Sequence, residues 1–305
     1  MKWVLNPPVH LTNINIDYLY SMKQALSFLF LVVLSFGLHA QEAHSLLWKI
    51  SGNGMAKPSY IFGTIHLICP SDYLWTDKME QSFRACSKAC FEMDLDDSSV
   101  MTAAAVSFID PTGKKIKDYY TPADYQRLKK FIKDSIGMDI SMMQAMKPVA
   151  LQSIISMRSV KCKDAVSYEE TLMKKAKANN MDVVGLEPVS EQINALDDMP
   201  ADTVAKELLA AITDFTASKT EFSGLIDAYR SQDLTLLYNK ITGSKSLDGS
   251  INVLLNDRNK RWISRMGDKM HSGPVFFAVG AGHLAGPEGV LALLRKAGYN
   301  IQAVN

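Results

Sequence analysis

Hydrophobic positions cluster in short, strand-length runs toward both ends of the chain, while helix-spaced stripes dominate the middle. Leu46 to Ile50 and Ser59 to Phe62 flank a turn containing Gly and Pro (Ser51 to Pro58), which predicts a hairpin. Asp77 to Cys86 has helical spacing. Ala89 to Leu95 alternates, with Phe91, Met93 and Leu95 on one face and Cys90, Glu92 and Asp94 on the other, as expected of a strand. From Thr121 to about Asn180 the pattern is mostly helical, with Thr121-Pro-Ala-Asp as a helix start and Ser167-Tyr-Glu-Glu170 as a capping box. Met181 to Glu187 reads as a strand stopped by Pro188, and residues 190–243 as a polar-rich helical subdomain. Pro274 to Val279 is a further strand. A helix from Pro287 to Ala297, ended by Gly298, and a last strand from Tyr299 to Val304 complete the chain. Strands recurring between helices predict an α/β (mixed α+β) fold with a central mixed sheet and a helical subdomain.

Two of these strands end in the same phrase. Tyr60-Ile-Phe-Gly63-Thr-Ile-His66-Leu and Phe276-Phe-Ala-Val-Gly280-Ala-Gly-His283-Leu each run from an apolar strand through Gly, two residues and His. The glycine suggests a tight backbone turn, and the imidazole is displayed at the strand's end, where α/β proteins commonly carry their chemistry. A lone G-x-x-H is more simply a strand terminus with a satisfied histidine. The paired form favours convergence on one ion and suggests that the chain contains two related halves. Beyond the N-terminal leader only His44, His66, His271 and His283 are present.

Acidic and basic candidates join them. Glu92 lies on the polar side of its strand, and Glu187 closes another. In Ser250 to Trp262, a helical stripe of Ile251, Leu254, Leu255, Arg258 and Trp262 turns Arg258 inward, where a guanidinium needs a carboxylate or an anionic ligand. Asp94 or Glu187 could supply a plain buried ion pair; a role at the site is the other reading. Asn259, next in sequence, could orient a substrate or ligand. Two imidazoles, carboxylates and an inward Arg suit metal-assisted hydrolysis, in which an ion with an open position acidifies bound water. No G-x-S-x-G, H-E-x-x-H, phosphate-cradling glycine loop or dinucleotide fingerprint is present.

The 305 residues, 47% hydrophobic and 21% charged with a net charge of +1, contain no basic run, so nothing points to nucleic acid. Met22-Lys23, the uncharged stretch Ala25 to Leu38 and Ala40 form a signal-peptide pattern over 22–40, which leaves 1–21 as an upstream leader and 41–305 as the catalytic domain. The protein is therefore expected to be periplasmic or secreted, without stable membrane insertion after cleavage; the alternative is an uncleaved N-terminal anchor. Cys69, Cys86, Cys90 and Cys162 all lie in the exported part and are read as structural thiols or one bridge rather than as metal ligands.

These motifs, with Phe91-Glu92-Met-Asp94, Gly185-Leu-Glu187 followed by Glu191-Gln192, Asp257-Arg258-Asn259 and Gly286 through Gly298-Tyr, resemble the TraB/GumN family, related to the Tiki proteases. The resemblance extends over nearly all of residues 46–304. It implies a Tiki-like fold and metal-dependent proteolysis supported by Mn or Co, with Zn as a further candidate. Position by position His66 and His283 match the family's motif histidines, Glu92 and Glu187 its acidic positions, and Arg258 with Asn259 its Arg-Asn pair; the resemblance does not divide the ligand and base roles between the two glutamates, and we take His66, His283 and Glu92 as the metal set and Glu187, Glu92, Arg258 and Asn259 as the catalytic set, with Glu187 as base or partner. The implied partner is a peptide or protein substrate. The alternative is a non-catalytic metal- or haem-binding protein using the same histidines. One departure is Ala165-Val-Ser-Tyr168, where many bacterial members of the family carry Gly-x-Asp, which leaves that loop without an assigned role.

Overall fold

The computed structural model describes residues 44–244 and 249–305; the segments read as leader and signal peptide lie outside the described residues. The predicted hairpin is β1 (Leu47–Gly52) and β2 (Ser59–Thr64), antiparallel with Leu47 opposite Phe62. α1 (Asp77–Arg84) is capped by Thr76, whose hydroxyl accepts the Met79 N–H at 3.3 Å, and leads to β3 (Lys88–Phe91). Four helices follow: α2 (Ser98–Ser107), α3 (Pro122–Ile136), α4 (Pro148–Ser156) and α5 (Tyr168–Ala178). β4 (Asp182–Gly185) precedes α6 (Val189–Asp197), α7 (Ala201–Thr213), α8 (Phe215–Arg230) and α9 (Leu234–Thr242). A π-helical turn (Asn252–Asn256) opens into α10 (Asp257–His271), and β5 (Val275–Gly280), α11 (Val290–Lys296) and β6 (Tyr299–Ala303) complete the chain.

The mixed α/β expectation holds. The sheet runs β4-β3-β5-β2-β1-β6, and its four strands β4, β3, β5 and β2 are mutually parallel, while β1 is antiparallel to both neighbours. β5 lies inside the sheet, and Val275 to Val279 are all buried, the near-continuous apolar run expected of a strand covered on both faces. β6, at an edge, alternates instead: Tyr299 and Ile301 are buried, Asn300 and Gln302 exposed. The main core embeds the sheet. A second, smaller core of Ile116, Leu128, Ile132, Leu151, Ile155 and Leu208 brings α3, α4 and α7 together, so the separate helical core draws mostly on residues 116–155, whereas Ile226, Tyr229, Leu234 and Leu237 of the expected 190–243 subdomain pack into the main core.

Several boundaries differ from the sequence reading. β3 ends at Phe91, so Glu92 lies just beyond the strand rather than within it; the chain bends because Met93 and Asp94 cross directly over Gly185. A Cβ at Gly185 would come within 2.5 Å of the Asp94 nitrogen. Glu187 follows its strand by two residues and is tied back by its N–H to the Glu92 carbonyl at 3.0 Å. The last helix begins at Val290, not Pro287, because Gly286 to Gly289 form a turn closed by the Gly289 N–H to the Gly286 carbonyl. The π-helical turn interrupts the 3.6-residue repeat, so Ile251, Leu254 and Leu255 are only partly buried while Arg258 and Trp262 are fully covered. Cys69 and Cys162 form a bridge, and Cys86 and Cys90 are buried free thiols.

Candidate active site

All four parallel strands deliver a candidate residue just beyond their C-terminal ends, the edge at which open α/β sheets bind ligands. β2 leads to His66, β3 to Glu92, β4 to Glu187 and β5 to His283. The two strands with the shared phrase are neighbours, paired from Tyr60 opposite Phe276 to Thr64 opposite Gly280. Neither motif glycine adopts a left-handed conformation, so the expected tight turn is not why glycine stands there. Gly63 is small because the next turn packs against it: a Cβ would lie 2.8 Å from Leu284 Cδ1 and 3.0 Å from Ala281 Cβ. Gly280 lets Glu92 approach, and its N–H donates to Glu92 Oε1 at 2.8 Å.

Arg258, 5% exposed, is the hub of the buried half. Its Nε and Nη2 donate to Glu187 Oε1 at 2.9 and 2.6 Å, and Nη2 also donates to Glu92 Oε2 at 2.7 Å. Nη1 donates to the Leu254 carbonyl at 3.1 Å and lies 3.3 Å from His283 Nε2. The remaining Glu187 oxygen accepts the Trp262 Nε1–H at 2.9 Å, so that carboxylate is enclosed with both oxygens occupied. Of the partners envisaged for Arg258, Glu187 is one; Glu92, rather than Asp94, is the other.

Asn259 fixes His283. Its Nδ2 donates to the Glu288 carbonyl at 2.9 Å, which orients the amide so that Oδ1 faces His283 Nδ1 at 2.6 Å. The imidazole must therefore donate from Nδ1 and keep its lone pair on Nε2, which lies 3.8 Å from Glu92 Oε1. Burial lowers the His283 pKa to about 4 against the pull of Glu92, and the charges of Arg258 and His66 act in the same direction as burial. Burial would raise the Glu92 carboxyl, but protonated His283, Arg258 and His66 with the Gly280 N–H override it and hold it at about 2. Because His283 is neutral above about pH 4, the charges of Arg258 and His66 and the Gly280 N–H are what keep Glu92 ionised near neutrality.

His66 has the opposite surroundings. Its side chain is 79% exposed, and its Nδ1 lies 3.4 Å from Glu169 Oε1. The same oxygen accepts the Thr64 hydroxyl at 2.7 Å, and Oε2 accepts the Ser167 hydroxyl at 3.0 Å. The hydrogen-bonding contact with Glu169 raises the His66 pKa, and the charges of Glu169 and Glu92 act in the same direction. Solvent around so open a ring weakens each of these pulls without reversing them.

All six sequence-predicted residues thus gather at one sheet edge, five of them in a connected cluster and His66 at the open rim. His271 is elsewhere, bonded to the Gly267 and Asn53 carbonyls, and His44 pairs in a bridge with Asp233. Sequence reasoning missed Glu169, whose Ser-Tyr-Glu-Glu setting reads as a helix cap. Ser167 does cap α5, accepting the Glu170 N–H at 3.2 Å, but Glu169 points to β2. It also missed Tyr229, a buried tyrosine of α8 that donates to the Gly63 carbonyl at 2.9 Å and for which the sequence offers no signal.

For a divalent ion the donor types fit: two imidazoles and a carboxylate, with the His283 lone pair on Nε2, which here accepts the Arg258 Nη1–H at 3.3 Å and would have to exchange it for an ion, and Glu92 Oε1 beside it. Among the described residues no three His, Cys, Asp or Glu side chains are drawn together closely enough to hold an ion as they stand. The fit is therefore one of chemistry and of the His283–Glu92 half.

The TraB/PrgY/gumN family pattern matches residues 46–303, the whole sheet and every site residue. The chain belongs to this family. Among its relatives, Metalloprotease TIKI1 of Danio rerio is 23% identical over 317 residues, covering 86% of this chain and 63% of that protein. Metalloprotease TIKI homolog of Nematostella vectensis is 24% identical, covering 86% and 67%, and Metalloprotease TIKI1 of Homo sapiens is 23% identical, covering 86% and 62%. The chain thus spans roughly three-fifths to two-thirds of the length of these family members, which are metal-dependent proteases by name. No solved structure matches the chain.

Proposed function

We propose that this protein is an exported metal-dependent hydrolase, a peptidase, with a divalent ion held by His66 Nε2, His283 Nε2 and Glu92. The observation that carries the reading is the His283–Glu92 pair, 3.8 Å apart at the C-terminal sheet edge with the histidine's other nitrogen committed to Asn259. The metalloprotease relatives support the reaction class, and Mn or Co is the metal suggested by the resemblance. A bound ion supplies Lewis acidity, polarising a peptide carbonyl and lowering the pKa of water.

The chain's own residues divide the remaining work. Glu92, held near pKa 2, is a poor proton acceptor at neutral pH and a good anionic ligand, which favours the metal-binding role. Glu187 is enclosed by Arg258 and Trp262 and serves as the partner that fixes the guanidinium. Arg258 in turn orients Glu92, and Asn259 holds the His283 ring. Both act through other groups and are positioning residues. Export is supported by the Cys69–Cys162 bridge, which suits an oxidising compartment, and among the described residues no helix is long and apolar enough to cross a membrane.

Metal analysis of the purified protein, with a peptide-library cleavage screen in Mn²⁺, Co²⁺ and Zn²⁺, tests the proposal. Metal-dependent cleavage is expected, and Glu92→Gln should lose both ion and turnover. Loss of turnover with metal retained would make Glu92 the base instead. Normal metal binding and full activity in that variant would contradict the mechanism.

A further inference from the structure

The buried half of the site has an evident device for orienting its histidine; the exposed half has one that nothing above assigns. Glu169 stands at the N-terminus of α5, where a carboxylate is favoured by the helix dipole, and its neighbour Glu170 behaves as such a residue ordinarily does, reaching solvent and pairing with Lys174. Glu169 instead turns toward the end of β2. It is largely buried, with 18% of its side chain exposed, and its Oε1 lies between the Thr64 hydroxyl (2.7 Å) and His66 Nδ1 (3.4 Å), while the Ser167 hydroxyl holds Oε2.

The two segments that meet here are also fixed to each other. Ile68 and Val166 exchange both backbone hydrogen bonds, at 3.0 and 2.8 Å, and Cys69 and Cys162 are bridged across 93 residues of sequence. The brace begins two residues after His66 and ends three residues before Glu169. An exposed ring on a free loop would sample many rotamers; here its carboxylate partner comes from a separate, pinned segment.

We propose that Glu169 is the positioning residue of His66: it takes the Nδ1–H and leaves Nε2 as the atom presented to the site. This deepens the proposed function, since it rests on His66 acting through Nε2 as a ligand. A carboxylate on the distal nitrogen of a ligating histidine fixes tautomer and ring orientation, and its loss typically costs 10–100-fold in metal affinity. The Ser167–Glu169 stretch, which reads in the sequence as a helix cap, is then part of the site.

The test reads the ring directly. Long-range ¹⁵N–¹H correlation spectra of the metal-free protein, at a pH where His66 is neutral, should show the Nδ1–H tautomer in the parent. In Glu169→Ala the ring should shift toward the Nε2–H tautomer preferred by solvated imidazole, and Zn²⁺ affinity by calorimetry should fall roughly 10–100-fold. Glu169→Gln, nearly isosteric and still able to accept through its amide oxygen, should retain most of the parent tautomer and lose less affinity. An unchanged tautomer and affinity in Glu169→Ala would overturn the proposal; if that variant does not fold, Glu169→Leu, which keeps bulk at the position without an acceptor for Nδ1–H, takes its place with the same two outcomes. If His66→Ala binds Zn²⁺ as tightly as the parent, the ligand reading fails, while the tautomer in Glu169→Ala still decides what Glu169 does.

Discussion

The two G-x-x-H ends are nearly the same in sequence and lie on adjacent parallel strands, yet they differ in almost every physical respect. His283 is buried, its Nδ1 tied to Asn259 and its pKa lowered to about 4; His66 is open to solvent, faces a carboxylate and has a raised pKa. The strand-end phrase therefore determines where an imidazole is displayed, and the segments packed around it determine what it can do. At His283 those segments are α10 and the turn after β5; at His66 they are the start of α5 and a disulfide-braced loop.

The contrast is broken most severely at the carboxylates that serve each end. Glu187→Ala would leave Arg258 buried without its main partner and is expected to cost about 3–5 kcal/mol or prevent folding. Glu169→Ala, at the more open end, is expected to cost about 1 kcal/mol, the net value of an ordinary hydrogen bond. Urea unfolding of both variants measures the difference, and equal losses would mean that the two ends are not differently built.

Next come the glycines. Gly63→Ala pushes a methyl group into Leu284 and Ala281 and should cost about 1–3 kcal/mol by overpacking. Gly280→Ala meets only Glu92 Oε1 at 3.3 Å and His283 Cδ2 at 3.6 Å, so it should disturb metal affinity more than the unfolding midpoint. Thermal melts and metal titrations on the same pair of variants separate the two effects.

The last contrast is electrostatic. His283 is lowered from 6.5 to about 4, so the unfolded chain binds its proton first as pH falls; the stability this contributes is complete above pH 6.5 and is lost between there and about pH 4. His66 is raised, so its contribution is complete below pH 6.5 and fades as pH climbs through its folded value. An NMR titration of the ring protons should find His66 titrating above 6.5 and His283 still neutral at pH 5. The reverse order would contradict the assigned environments.

Much of this was legible in the chain. The paired phrase marked both histidines, and an Arg on an apolar stripe had to find a buried carboxylate, as Arg258 finds Glu187. The strands of the sheet were readable because buried parallel strands leave unbroken apolar runs such as Val275 to Val279. What escaped depended on contacts between distant segments. Glu169 reads locally as part of a helix start and acquires its role only when Ile68 pairs with Val166. Glycine's role at Gly63 is likewise set by the turn at Ala281, more than 200 residues away, rather than by its own backbone angles. The strand read as Ala89 to Leu95 ends four residues earlier, at Phe91, because alternation continues past the point where Met93 crosses Gly185, and the strand read as far as Glu187 ends two residues earlier, at Gly185.

The central claim is that two unlike histidines serve one ion. Calorimetric titration of Mn²⁺ into the metal-free protein, its His66→Ala variant and its His283→Ala variant tests it most directly, with circular dichroism to verify the fold of each. The account predicts a single binding event in the parent that is lost in both variants. Parent-like affinity and stoichiometry in either variant would contradict it.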